Sequence, residues 1–148
     1  MYLVDTNVLS AGAPTKARPA AGLTAWMDRN SSRLYLSVVT VAEIEDGIAK
    51  ARREGASRKA DGLAEWLEAL LHLYSARILA LDVPTARVLG VLSDRARGSG
   101  HAPGFADLAI AATAQQRGHT ILTRNLRHFH MLGVPALDPF EGVPAEAA

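Results

Sequence analysis

Apolar residues gather along this chain in two rhythms: short runs that stop at polar turn residues, and longer stretches in which they recur every three or four positions. The first rhythm predicts strands buried on both faces, and the second predicts helices with one apolar stripe. Tyr2-Leu3-Val4 is a run of the first kind, cut off by the turn and cap residues Asp5-Thr6-Asn7, so a strand should feed directly into a helix. After a Pro/Gly-rich stretch over residues 12–19, Leu23, Trp26 and Met27 fall at i, i+3 and i+4. Leu34-Tyr35-Leu36-Ser37 predicts a second strand, and Val41, Ile44 and Ile48 a helix behind it. Over residues 57–76, Leu63, Trp66, Leu67, Leu70, Leu71 and Tyr74 repeat at helical spacing opposite a charged face. Trp26 and Trp66 lie on these stripes and read as core or interface residues.

Ile78-Leu79-Ala80-Leu81 predicts a third strand ending at Asp82, which caps a helix whose first turn accommodates Pro84. Residues 98–104 form a Gly-rich loop. An alanine-rich helix follows over 106–117 and stops at Gly118. Thr120-Ile121-Leu122-Thr123 predicts a fourth strand, residues 125–132 a short helix, and Val134-Pro135-Ala136-Leu137 at most an edge strand. Strands alternating with helices imply right-handed crossovers and an α/β fold of three layers, with a central, mainly parallel sheet of four to five short strands. With 148 residues and no internal repeat, one domain over 1–140 and a frayed tail over 141–148 are expected.

Composition narrows the chemistry. A hydrophobic fraction of 49% excludes disorder as the main state, no apolar run is long enough to cross a bilayer, and the first residues lack the pattern of a signal peptide. A cytoplasmic protein with no membrane partner is expected. The absence of cysteine excludes thiolate metal sites and cysteine nucleophiles. Sixteen Lys plus Arg against 15 Asp plus Glu leave a net charge of +1, so any grip on nucleic acid must come from a local patch. The densest such patch is Arg52, Arg53, Arg58 and Lys59 around Gly55, a candidate RNA-backbone contact that also reads as a solvated helix end.

Ligands of open α/β sheets sit beyond the carboxyl ends of the strands, and three acids are placed there. Asp5 follows the first strand, Glu43 lies early in the helix after the second, and Asp107 opens the alanine-rich helix. Each has a structural alternative. Asp5 can cap a helix, Thr40-x-x-Glu43 fits a capping box, and Asp107 suits the positive end of a helix dipole. Gathered together, however, three carboxylates repel unless a cation neutralises them. All-oxygen ligation favours Mg²⁺ or Mn²⁺, ions that bind phosphate oxygens and activate water. His128-x-His130 cannot chelate one ion from a helix, because residues two apart point to opposite sides. His101 reads as an exposed loop residue. Asp82 is excluded from the acidic set by its capping role.

The ordered motifs carry a resemblance. Asp5-Thr6-Asn7 after an apolar strand, Ser37-x-x-Thr40-x-x-Glu43 followed by Gly47, Gly104-Phe105-Ala106-Asp107-x-x-Ile110-Ala111-Ala112-Thr113-Ala114, and Thr123-Arg124-Asn125-x-x-x-Phe129 resemble the PIN-domain ribonucleases of the VapC toxin branch, close to their FitB-like members. The resemblance implies a PIN-like fold and a metal-dependent endoribonuclease toxin, usually a homodimer, silenced by a VapB-type antitoxin. It marks Asp5, Glu43 and Asp107 as metal ligands and catalytic acids. Thr6, Asn7, Thr123 and Asn125 carry polar groups placed to support ligands or water, which local turn bonding explains equally well, and Arg124 is a further candidate RNA-backbone contact. Many relatives carry a fourth acid at the position of Asn125 or of His128, and here neither is acidic. A second metal site is therefore in question, and Asn125 also reads as a helix cap. A receiver-like signalling module or a haloacid-dehalogenase-type phosphatase would need further acids beside Asp5 that this chain lacks. A PIN scaffold without catalysis, binding only RNA or a partner, remains the alternative.

Overall fold

The computed structural model of the chain describes residues 1–14 and 21–145. Five short strands, β1 (Tyr2–Val4), β2 (Leu34–Ser37), β3 (Ile78–Leu79), β4 (Thr120–Leu122) and β5 (Ala136–Leu137), lie side by side in the order β3-β2-β1-β4-β5. Every neighbouring pair is parallel. Seven α-helices occur among the described residues: α1 (Thr6–Leu9), α2 (Ala21–Arg29), α3 (Val38–Arg53), α4 (Ser57–Tyr74), α5 (Val83–Gly98), α6 (Phe105–Arg117) and α7 (Leu126–Met131). The Pro/Gly-rich segment and the expected tail fall partly outside the described residues.

Two apolar layers flank the sheet because successive strand residues face opposite sides. Val4, Leu36 and Leu122 point into one core with Trp26, Ile44, Ile48, Leu67 and Leu70, whereas Leu3, Leu79 and Ile121 point into the other with Leu92, Ile110 and Phe129. The expected three layers are thus present. Helix α6 explains why alanine dominates its sequence. Ala109, Ala111, Ala112 and Ala114 are fully buried, and their small side chains let the helix press against the sheet and α5 with good intrinsic propensity. Its Thr113 is buried too and returns its hydroxyl to the Ala109 carbonyl at 2.7 Å.

Three local expectations are corrected. The third strand spans only Ile78–Leu79, since the chain turns away toward Asp82, whose carboxylate accepts from Thr85 N–H and Oγ1 at the start of α5. Helix α3 starts at Val38 with Ser37 as its cap, so Thr40 and Glu43 do not form a capping box. Asn125 precedes α7 at the cap position but makes no side-chain capping bond.

Candidate active site

The chain moves from β1 outward through β2 to β3, then crosses to β4 and β5 on the other side. The sheet order therefore reverses between β1 and β4, and such a switch point opens a crevice at the strand carboxyl ends. Val4 pairs with Leu122, which places the next residues, Asp5 and Thr123, side by side at the mouth of that crevice. Thr123 Oγ1 donates to Asp5 Oδ2 at 2.8 Å, and Thr6 N–H donates to Asp5 Oδ1 at 2.8 Å. Both Asp5 and Thr123 are buried. Asp5 is also the N-cap of α1, so its structural and candidate chemical roles coincide.

Glu43 is the sixth residue of α3 and comes to the same rim through Thr6. The Thr6 hydroxyl lies 2.7 Å from Glu43 Oε1 and 3.1 Å from Thr40 Oγ1. A carboxylate only accepts and a hydroxyl has one proton, so Thr6 donates to Glu43 and accepts from Thr40. The Ser37, Thr40 and Glu43 spacing thus serves three functions: helix cap, hydroxyl relay and rim carboxylate.

Asp107 stands in the first turn of α6, held there by the extended Gly104 that starts the helix. His128 Nδ1, on α7, lies 2.9 Å from Asp107 Oδ2. The Asp107 side chain is one-quarter exposed, which leaves it open to solvent.

Asp5 feels the other two acids. Burial pushes the Asp5 carboxyl above its ordinary value, the bonds from Thr123 and Thr6 pull it back, and the negative charges of Asp107 and Glu43 raise it further. Among the described residues no three His, Asp or Glu side chains are drawn together tightly enough to grip an ion as they stand. Glu43 and Asp107 are instead held by their own donors, Thr6 and His128. The donor set nonetheless fits a hard divalent cation: carboxylate and hydroxyl oxygens on one rim, no thiolate, and a mutual repulsion that positive charge relieves.

A family profile described as PIN domain matches residues 2–133. The chain belongs to the PIN-domain family. Plasmid stability protein StbB of Pseudomonas syringae pv. tomato is 36% identical over 143 residues, covering 95% of this chain and 99% of that protein. Toxin FitB of Neisseria gonorrhoeae is 35% identical over 142 residues, and VapC ribonuclease Y4jK of Sinorhizobium fredii 36% over 146, each again covering 95% of this chain and 99% of the relative. The crystal structure of FitAcB from Neisseria gonorrhoeae superposes with a TM-score of 0.82 at 35% identity, over 95% of this chain and 99% of the other.

Around the rim of this PIN domain the remaining expected residues separate into those that support it and those that stand apart. Asn7 Oδ1 accepts the Arg124 N–H at 3.2 Å, and Thr123 Oγ1 accepts the Asn125 N–H at 2.9 Å, so both fasten the turn after β4. The Arg124 guanidinium lies over the Phe140 ring, 4.5 Å from its centre. Arg53 is ten residues beyond Glu43, about 15 Å farther along α3. Arg52 is bonded to Asp61 at 2.9 Å, and Arg58 and Lys59 open α4 beyond the same turn. The structure does not bring this cluster to the acids. What sequence reasoning missed is His128. Its signal was its position in the segment just after the fourth strand, at the carboxyl edge of the sheet. Among the described residues, no helix is long and apolar enough to cross a membrane.

Proposed function

We propose that this PIN domain is the toxin of a toxin–antitoxin pair, an endoribonuclease that hydrolyses RNA phosphodiester bonds in the cytoplasm with Mg²⁺ or Mn²⁺ at Asp5, Glu43 and Asp107. The observation that carries the reading is the buried Asp5 at the switch point, fixed by Thr123 and Thr6, with Glu43 tied to the same Thr6 hydroxyl. The relative named VapC ribonuclease Y4jK supports the nuclease reading, and the relative named toxin FitB the toxin role.

A divalent cation bound there would activate water and stabilise the charge that develops on the phosphate. Asp5, fixed by Thr6 and Thr123, supplies a carboxylate that cannot swing away. Thr6 and His128 orient Glu43 and Asp107 from outside. Burial around Asp5 strengthens its attraction for a cation, because solvent screens the pair less there.

The reading extends to partners. A VapB-type antitoxin would silence the toxin, and a second copy of the chain would complete a homodimer. Exposed apolar residues support such contacts: Phe105 is 62% exposed and borders Glu43 together with Val39 and Ala42. A second reading, a PIN scaffold that binds RNA without cutting it, draws on one observation, that His128 rather than an acid faces Asp107. Incubating purified protein with RNA and Mg²⁺ or Mn²⁺ decides between them. Cleavage that stops in excess EDTA supports the first reading, and binding without cleavage supports the second.

A further inference from the structure

Beside Asp107 a groove of about 820 Å³ opens between the loop preceding α6 and helix α7. This lies within the range of about 300–1,000 Å³ usual for small-ligand sites. Its lining differs from the rest of the rim in charge and in surface. Arg127 is exposed in the groove, and no carboxylate among the described residues pairs with it. The hollow on the Glu43 side carries Asp46 and Phe105 and no cation. A polyanionic chain that reaches the acids is therefore drawn to the Arg127 side.

The groove also offers places for a base. Pro103 and Met131 are half-buried and present apolar surface, while His101 adds an exposed imidazole ring. Single-stranded RNA is recognised largely through unstacked bases laid against such rings and apolar faces. A phosphate alone would need only the cation. A nucleotide uses both parts.

We propose that this groove is a nucleotide subsite, holding the nucleotide next to the scissile phosphate with its base against Pro103 and Met131 and its phosphate on Arg127. Its place in a cleavage reaction rests on the nuclease reading, since Asp107 borders the groove. The class of ligand, a nucleoside phosphate, rests on the groove's own residues. Arg127 contributes a forked, permanently charged donor suited to phosphate.

The test is an NMR titration of the full chain in metal-free buffer with each of the four nucleoside 5′-monophosphates and with inorganic phosphate. Shifts confined to residues 101–107 and 127–131, with nucleotides binding more tightly than phosphate, are expected. Arg127→Ala should weaken nucleotide binding about tenfold, the loss of one charge-assisted contact. Ala102→Trp, at an exposed position in the groove wall, should block it. Shifts on the Glu43 side of the rim, equal affinity in Arg127→Ala, or phosphate binding as tightly as nucleotides would overturn the subsite. Cleavage assays keep the two readings apart. Unchanged KM for RNA in Arg127→Ala overturns the subsite and leaves the nuclease intact, whereas nucleotide binding in the groove by a protein that cuts no RNA upholds the subsite and overturns the nuclease.

Discussion

His128 Nδ1 lies 2.9 Å from Asp107 Oδ2, joining α7 to the first turn of α6 across 21 residues of sequence. An ionised carboxylate only accepts, so the imidazole donates from Nδ1 to one carboxylate oxygen of Asp107. The position where the resemblance led us to expect an acid thus carries a donor that orients one. Asn125, the other such position, makes no side-chain bond to its helix, and His128 is the one of the two that reaches Asp107.

His128→Asp should exchange an orienting donor for a fourth carboxylate. Two carboxylates facing each other without a cation repel, so the metal-free variant should melt at a lower temperature than the parent. With Mn²⁺ the order should reverse, because each added carboxylate raises cation affinity, by about tenfold here. Calorimetric titration with Mn²⁺ and melting with and without the ion check both halves. Unchanged Mn²⁺ affinity would place His128 outside the site.

Asp107→Asn keeps shape and loses a full charge. RNA cleavage should fall by at least about a hundredfold, the scale seen when one transition-state-stabilising group is removed. Its melting temperature should stay near that of the parent, since Asp107 lies on the rim and not in the core. Near-parental cleavage by the purified variant would remove Asp107 from the catalytic set.

Thr123→Val replaces the buried hydroxyl that donates to Asp5 and accepts from the Asn125 N–H with a methyl group of nearly the same volume. Leaving those partners unsatisfied should cost about 1–3 kcal/mol. A lower urea midpoint with an unchanged slope is the expected result. An unaltered midpoint would mean that water replaces the hydroxyl without cost.

His119, packed 4.7 Å from the Tyr35 ring, should make stability depend on pH. Burial holds its pKa below the ordinary 6.5, and the N-terminus and Arg117 add to the lowering. The folded state therefore takes up the proton less readily than the unfolded chain. This contribution to stability is complete above pH 6.5 and is lost as pH falls through the lowered native value. The ring is partly exposed, so solvent screening keeps the effect small, on the order of 1 °C in melting temperature. His119→Phe should show a shallower fall than the parent between about pH 7 and pH 5.5.

The alternation of strands and helices was legible because periodicity is a local property. That Leu3 and Val4 face opposite cores follows from the alternation of side chains along a strand. Asp5 and Asp107 were readable for the same reason, since both sit where a strand ends or a helix begins. Glu43 was legible as a candidate but not in its local role. The choice between Ser37 and Thr40 as helix cap turns on how soon the helix follows β2, and because it starts at once, three residues before the expected cap, no capping box forms.

The sequence by itself determined the elements, the acidic residue types and the segments that carry them. The tertiary structure alone decided which side chains meet. Thr123 and Asp5, 118 residues apart, become neighbours because β4 chose β1 as its parallel partner in a register that pairs Val4 with Leu122. Strand order and register are settled by summed packing over both faces of the sheet, so no short window of sequence contains them. The same holds for His128 and Asp107. Their bond exists because α6 and α7 pack on the same face, and hydrogen bonds between distant residues depend on ångström-scale geometry that only the assembled core supplies.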